Sequence, residues 1–155
     1  MALATGAATA GAPVGIALSK DDRFAFVTNR LDGTLSVIDV AKLAKVKDVK
    51  TGPVPISAAA SPLSQAIYVA DGKDGRITVV DAARHEVIAR IPAKPGLGPM
   101  RFSDDGRWGF AVNPIEHAVH VVDAAANELA HTIPLDGKPY QVSFTPTYAY
   151  VRLLD

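Results

Sequence analysis

A repeat with a period of 42 residues constrains this chain more than any other feature. Ser19, Ser61, Ser103 and Thr145 are each 42 apart, and the aromatics Phe26, Tyr68 and Phe110 keep the same spacing. The triplets Val37-Ile38-Asp39, Val79-Val80-Asp81 and Val121-Val122-Asp123 recur in that register, as do Val49, Ile91 and Ile133. A fixed period of this size means that one supersecondary unit stacks on copies of itself, because a single unit cannot bury its own apolar surface.

Each unit divides into four short apolar stretches separated by turn residues, the pattern of a four-stranded meander. In the first unit the stretches run over 15–19, 24–28, 34–40 and 45–49, here strands A to D. Two-helix repeats of similar length are excluded. The stretches are rich in Val, Ile, Phe and Tyr, are broken by Asp-Gly or Pro, and fall short of the ~10 residues a helix needs. In strand C, Leu35 and Val37 alternate with Ser36 and Ile38, so both sheet faces are largely apolar and both must be covered. Sheets set around an axis meet that requirement. The expected fold is all-β: a β-propeller segment of about three and a half four-stranded antiparallel blades. The blades fall at 13–54, 55–96 and 97–138, with strands A and B of a partial fourth blade over 139–155. Residues 1–12 are a leader or the remnant of a preceding blade.

The sequence Phe26-Val27-Thr28-Asn29, followed by Asp32-Gly33-Thr34-Leu35-Ser36-Val37-Ile38-Asp39, resembles the YVTN β-propeller repeat. The pattern returns as Tyr68-Val69-Ala70-Asp71 with Ile77 to Asp81, and more loosely as Phe110-Ala111-Val112-Asn113 with Val119 to Asp123. Ser103-Asp104-Asp105-Gly106 is similar to that family's turn between strands A and B, whereas Ser19-Lys20-Asp21-Asp22 lacks the Gly and Ser61-Pro62-Leu63-Ser64 departs further. The resemblance covers Pro13 to about Val151. It implies a periplasmic or cell-surface location. It also implies kinship with the haem-binding propeller of cytochrome-type nitrite reductases and with sugar lactonases.

Sixteen basic and 16 acidic residues cancel to a net charge of zero, so the chain has no field to gather phosphates and no nucleic-acid partner is expected. It has no Cys, which removes disulfides, thiolate metal sites and a thiol nucleophile. No apolar run reaches the ~18 residues that span a bilayer, so no membrane insertion is expected, and residues 1–12 lack the basic start of a signal peptide.

Candidate site residues follow from the geometry of blades, whose strands A line the axis and whose D-to-A and B-to-C loops share one rim. Arg101 takes the register position held by Ala17, Ala59 and Ser143, placing a long cation near the axis, where it needs a carboxylate partner or an anionic ligand. Tyr140 and Gln141 begin the neighbouring strand A and complete an expected axial polar cluster. Arg30, Lys73 and His117 are the rim-loop candidates. Asp39, Asp81 and Asp123 recur after strand C and are read as turn formers, because a residue needed in every repeat serves the repeat. His85 and His131 are expected on the exposed outside of the ring, His120 between sheets, and Trp108 in the core. Lys42, Lys45, Lys47 and Lys50 make the first outer strand basic, which discourages edge pairing.

No catalytic residue, metal or cofactor is expected: Gly96-Leu97-Gly98-Pro99 lacks the third Gly and the helix of a dinucleotide loop, and no hydrolase or zincin motif occurs. The functional expectation is a non-catalytic binding or scaffolding propeller module that holds a small ligand or protein at its axial rim. The alternative is a fragment of a propeller enzyme or haem-binding domain. About three and a half blades is below the four to eight that close a ring. The chain is thus either part of a longer propeller or a protomer completed by a homo-oligomer.

Overall fold

The computed structural model describes residues 11–154, which form fourteen β-strands and no helix. The first sheet is β1 (Pro13–Leu18), β2 (Phe24–Asn29), β3 (Thr34–Asp39) and β4 (Ala44–Lys50). The second is β5 (Pro55–Ala60), β6 (Ala66–Asp71), β7 (Arg76–Asp81) and β8 (Glu86–Pro92). The third is β9 (Met100–Phe102), β10 (Trp108–Asn113), β11 (Ala118–Asp123) and β12 (Glu128–Pro134). A two-stranded sheet of β13 (Lys138–Phe144) and β14 (Ala149–Leu154) follows. Every sheet is an antiparallel meander in sequence order, and together they make a partial β-propeller. The leader expected over 1–12 lies, through residue 10, outside the described residues.

The repeat is kept down to its irregularities. The pairing of strands C and D slips at Val37/Ile38, Val79/Val80 and Val121/Val122, one position in three sheets. Such bulges add local twist, which a blade needs if its outer strand is to turn away from its inner one. Strand β9 is the exception at only three residues. Pro99 before it has no N–H to extend the ladder, and Gly98 and Pro99 instead meet Val112 through their own backbone groups.

Recurring side chains set the turns. Ser19 donates its hydroxyl to Asp21, whose carboxylate also accepts the Arg23 N–H; Ser103, Asp105 and Arg107 repeat the arrangement. Those bonds, the serine's first, hold the carboxyls of Asp21 and Asp105 below the usual range. Asp22, in the register position of Gly106, adopts φ +57°, close to the +69° of that glycine. After strand C, the carboxylates of Asp39, Asp81 and Asp123 accept backbone N–H groups two or three residues on, which is the turn-forming role expected of them.

The core lies between sheets. Phe26, Leu35 and Val37 of the first sheet pack on Ile67, Val69 and Val80 of the second. Tyr68, Ile77 and Val79 of the second pack on Met100, Ala111 and Val122 of the third, and Val112, Val119 and Val121 pack on Val142 of the fourth. The second and third sheets thus show one face to their predecessor and one to their successor, so their strands are apolar on both sides.

A turn residue reinforces each complete interface. His85, at φ +57° between β7 and β8, reaches back onto the first sheet and meets Phe24 edge-on, with ring centroids 4.6 Å apart. Asn127, 42 residues on and at φ +55°, reaches back onto the second sheet and accepts the Tyr68 hydroxyl at 2.6 Å. Burial, with a smaller contribution from the Asp123 charge, pushes the Tyr68 phenol up to about 12, so it stays a donor. The expectation of an exposed His85 is corrected: its ring is half-buried against a neighbouring blade, because the left-handed turn aims the side chain backwards. His131 is exposed on β12, as expected for an outer strand.

Candidate functional site

The four inner strands lie side by side and border an open axial cavity of about 780 Å³. Its wall is largely small or apolar, with Ile16, Ala58 and Phe102 among its residues, and Arg101 is its one basic side chain. Arg101 is exposed on β9, and its guanidinium makes no hydrogen bond or ion pair among the described residues. The acidic neighbour that strand A of another blade could have supplied is absent from that wall, where Asp104 is the one carboxylate. A guanidinium with five donors is therefore presented to an open cavity lined by small and apolar side chains and by strand backbone.

Tyr140 and Gln141 do not join Arg101. The Arg152 guanidinium on β14 lies 5.2 Å from the Tyr140 ring centroid, and its Nη1 donates to Gln141 Oε1 at 3.5 Å. Gln141 occupies the register position of Ser57, whose hydroxyl accepts the Met100 N–H of the next blade at 3.0 Å. That position points along the stack, between blades, rather than into the axis.

The rim candidates are also dispersed among separate loops. Arg30 is exposed, and its N–H bonds to Ala12 O. Lys73 is exposed, and its N–H closes a turn on Asp71 Oδ1. His117 is exposed at φ +51°, in the register position held by Gly33 (φ +66°) and Gly75 (φ +69°). Its backbone repeats theirs: Leu135 N–H donates to His117 O as Thr51 does to Gly33 and Ala93 to Gly75.

Under that rim each blade carries a buried polar link that sequence reasoning missed. In the first, Asn29 Nδ2 donates to Ser36 Oγ at 2.8 Å, and Ser36 donates to Asp48 at 2.6 Å. In the second, Arg90 Nη1 donates to Thr78 Oγ1 and to Thr51 O. In the third, Asn113 meets His120 Nε2 at 3.3 Å, and His120 Nδ1 meets Thr132 at 3.0 Å. The 42-residue spacing is kept while the side chains change, so identity-based matching could not find it; a search for polar residues at equivalent strand positions would have.

His120 is fully buried, with the Glu116 carboxylate 3.7 Å from Nε2 and the Lys94 ammonium 3.9 Å from that carboxylate group. Burial pulls its basicity below 6.5 despite Glu116, and burial does the same for His85. The unfolded chain then binds more protons than the folded one below 6.5, so stability is expected to fall as pH drops from 8 to 5.5. Urea unfolding at the two pH values checks this, and His120→Gln should flatten the slope. Equal or greater stability at pH 5.5 would refute the assignment of neutral, buried imidazoles.

Trp108 is half-buried rather than fully in the core, with the Arg107 guanidinium 4.7 Å from its ring centroid. Of the basic first outer strand, Lys45 pairs with Asp48 at 2.7 Å and Lys42 with Asp39 at 3.3 Å. No group of His, Asp and Glu among the described residues is arranged to hold a metal ion.

Among solved structures the chain is similar to the Kuenenia stuttgartiensis hydrazine synthase, with a TM-score of 0.81, 21% identity, and 95% of this chain aligned to 43% of that one. It is also similar to the dihydro-heme d1 dehydrogenase NirN in complex with DHE, with a TM-score of 0.76, 18% identity, and 94% of this chain aligned to 34% of that one. A third structure, U3-55K, aligns at a TM-score of 0.70 and 14% identity, over 79% of this chain and 39% of that one. These likenesses establish a propeller fold, and the chain spans less than half the length of each of the three. No curated protein sequence matches it. Residues 9–95, more than half of the chain, match the model of the cytochrome D1 heme domain. The chain belongs to the cytochrome D1 heme domain family, a propeller family related to cytochrome nitrite reductase.

Proposed function

We propose that this chain forms part of the wall of an axial ligand site in a D1-type propeller, where Arg101 binds a carboxylate of a haem-type macrocycle. The observation that carries the reading is the unpaired Arg101 guanidinium in the open axial cavity of about 780 Å³, beside apolar side chains. That environment fits the periphery of such a group, which is flat and apolar with an acidic edge. The fit does not extend to the iron: no histidine lines the cavity among the described residues, and His117 stands on a rim loop. When bound, the macrocycle supplies redox chemistry at its metal. The residues of this chain bind its carboxylate through the Arg101 fork and cover part of one apolar face with Ile16, Ala58 and Phe102. Family membership supports this reading and, with it, a periplasmic location.

A binding titration with hemin tests the proposal, read by the Soret band and by quenching of Trp108. Arg101→Ala removes a charge-assisted bond, worth about 1.5–3 kcal/mol, and is expected to weaken binding roughly ten- to a hundredfold. His117→Ala should leave it within about twofold. Binding that survives Arg101→Ala unchanged would end the proposal, as would a Soret shift that depends on His117.

A further inference from the structure

We infer that the rim cleft between the first two sheets is a second ligand site, which holds a phosphate dianion, free or as the head of a small monoester. The inference does not rest on the axial ligand site. A cavity of about 520 Å³ opens there between the B-to-C loop of the first blade, the crossing at 50–53 and strands β7 and β8 of the second. Lys50, Arg76 and Arg90 border it. At the 42-residue spacing, Pro92 and Pro134 stand in the place of Lys50, Thr34 and Ala118 in that of Arg76, and Asp48 and Thr132 in that of Arg90. Three cations thus gather at one cleft where the repeat itself requires none. The carboxylates on the same wall have the opposite standing. Asp32 and Asp74 hold a position that is acidic in all three full blades, with Glu116 the third, and Asp74 serves its own turn by accepting the Arg76 N–H.

The donors are anchored on one side and free on the other. Arg90 Nη1 donates to Thr51 O at 2.9 Å and to Thr78 Oγ1 at 3.1 Å, which fixes the guanidinium across the blade junction. Its Nη2 and Nε have no partner among the described residues, so a fork held in place before binding loses little freedom on capturing an anion. Arg76 comes only within 3.7 Å of Asp74, through Nε, which is too long for a good hydrogen bond and leaves its terminal nitrogens unused. Thr51, 2% exposed, is the one buried residue of the wall, and its Oγ1 has no hydrogen-bond partner. A buried hydroxyl left unpaired calls for an explanation, and a site built for an oxygen-rich ligand supplies one.

The donor set selects among anions. A single guanidinium fork satisfies a carboxylate, whereas a phosphate dianion presents three terminal oxygens, enough for both guanidinia and the Lys50 ammonium. The cavity leaves room beside the phosphate for an organic part, where Asp32 offers an acceptor and the exposed Leu31 an apolar contact.

Titration calorimetry at pH 8 and low salt, with amide NMR shifts to place each probe, tests this with inorganic phosphate, phosphoethanolamine and succinate. Phosphate is expected to bind saturably and to shift the amides of Gly33, Gly52 and Arg76, and succinate to bind at least about tenfold more weakly. Arg76→Ala breaks no bond between blades and should weaken phosphate binding roughly tenfold or more. Arg90→Lys keeps the charge but loses the anchored fork and should do likewise, with circular dichroism confirming the β-fold of each variant. Arg84→Ala, in the turn at the other end of β7 and β8, should leave binding within about twofold. Tighter binding of phosphoethanolamine than of phosphate identifies a monoester as the occupant, and equal or weaker binding identifies the free anion. The inference is overturned if neither phosphate probe saturates, if the shifts fall on the axial strands, or if succinate binds as tightly as phosphate. An Arg76→Ala protein that binds like the wild type, or an Arg84→Ala loss as large as that of Arg76→Ala, overturns it equally.

Discussion

Replacing Phe26 by alanine is expected to cost about 3–5 kcal/mol of folding free energy. Phe26 is 0% exposed and lies with Leu35 and Val37 in the cluster that joins the first sheet to Ile67, Val69 and Val80 of the second. Its removal loses the transfer free energy of the ring and opens a cavity between two sheets that are each pinned by a full ladder, so the walls have little freedom to collapse. Since domains of this size are stable by only ~5–15 kcal/mol, the loss is a large fraction of the whole. Tyr68→Phe, in the equivalent position of the second sheet, keeps the volume and deletes the hydroxyl that Asn127 accepts at 2.6 Å. That change should cost only about 1–2 kcal/mol. Urea denaturation midpoints at pH 8 separate the two. A Phe26→Ala shift no larger than that of Tyr68→Phe would show that the sheets close over the cavity and that the interface is not packed as described. Should Phe26→Ala fail to fold, Phe26→Leu should still fall between the wild type and a cost of about 2 kcal/mol.

The stacking of sheets was legible because it rests on apolar periodicity, and apolar residues can be exchanged among Val, Ile, Phe and Tyr without losing the signal. The turn carboxylates were legible for a related reason: Asp39, Asp81 and Asp123 each need the same short acceptor at the same place. The polar links under the rim were not. Ser36, Thr78 and His120 share a position but solve its hydrogen bonding with Asp48, Arg90 and Thr132, so chemistry varies where geometry is fixed. Arg101 stood out as a cation among small residues, and the structure does put it on the axial wall. Its grouping with Tyr140 and Gln141 is not seen, because Arg152 lies over the Tyr140 ring and donates to Gln141. His85 was placed outside because its turn is outside; a left-handed backbone returning the ring to the neighbouring sheet leaves no mark in residue spacing.

The positive-φ turns also set the last expectation. Gly75→Ala should destabilise the protein by more than the ~1–2 kcal/mol that a left-handed Ala ordinarily costs. At φ +69° a Cβ on residue 75 would run into the backbone of Lys94 and Pro95, where the chain passes from the second blade to the third. Backbone cannot rotate aside as a side chain does, so either the B-to-C turn or the interblade crossing must move, and the bond from Ala93 N–H to Gly75 O at 2.8 Å is at risk. Gly106→Ala is the control: its φ is also +69°, but the nearest atom is Cγ of Leu63, a side chain 62% exposed and able to swing away. Pro62 Cβ and the Leu63 backbone N would lie 3.1 and 3.3 Å from the new Cβ, so the cost should be the left-handed penalty plus a small shift of that turn, well short of a clash with backbone as at residue 75. His117 occupies the third copy of the Gly75 position at φ +51°, so His117→Gly should relieve strain and stabilise the fold by about 1 kcal/mol. The three variants therefore order along one axis in chemical denaturation, with His117→Gly above the wild type, Gly106→Ala modestly below it and Gly75→Ala lowest. A Gly75→Ala protein as stable as Gly106→Ala would mean that the crossing at Lys94 and Pro95 is not tight against the turn. A destabilised His117→Gly would give the His117 side chain a structural role on the rim that its exposed turn position does not suggest.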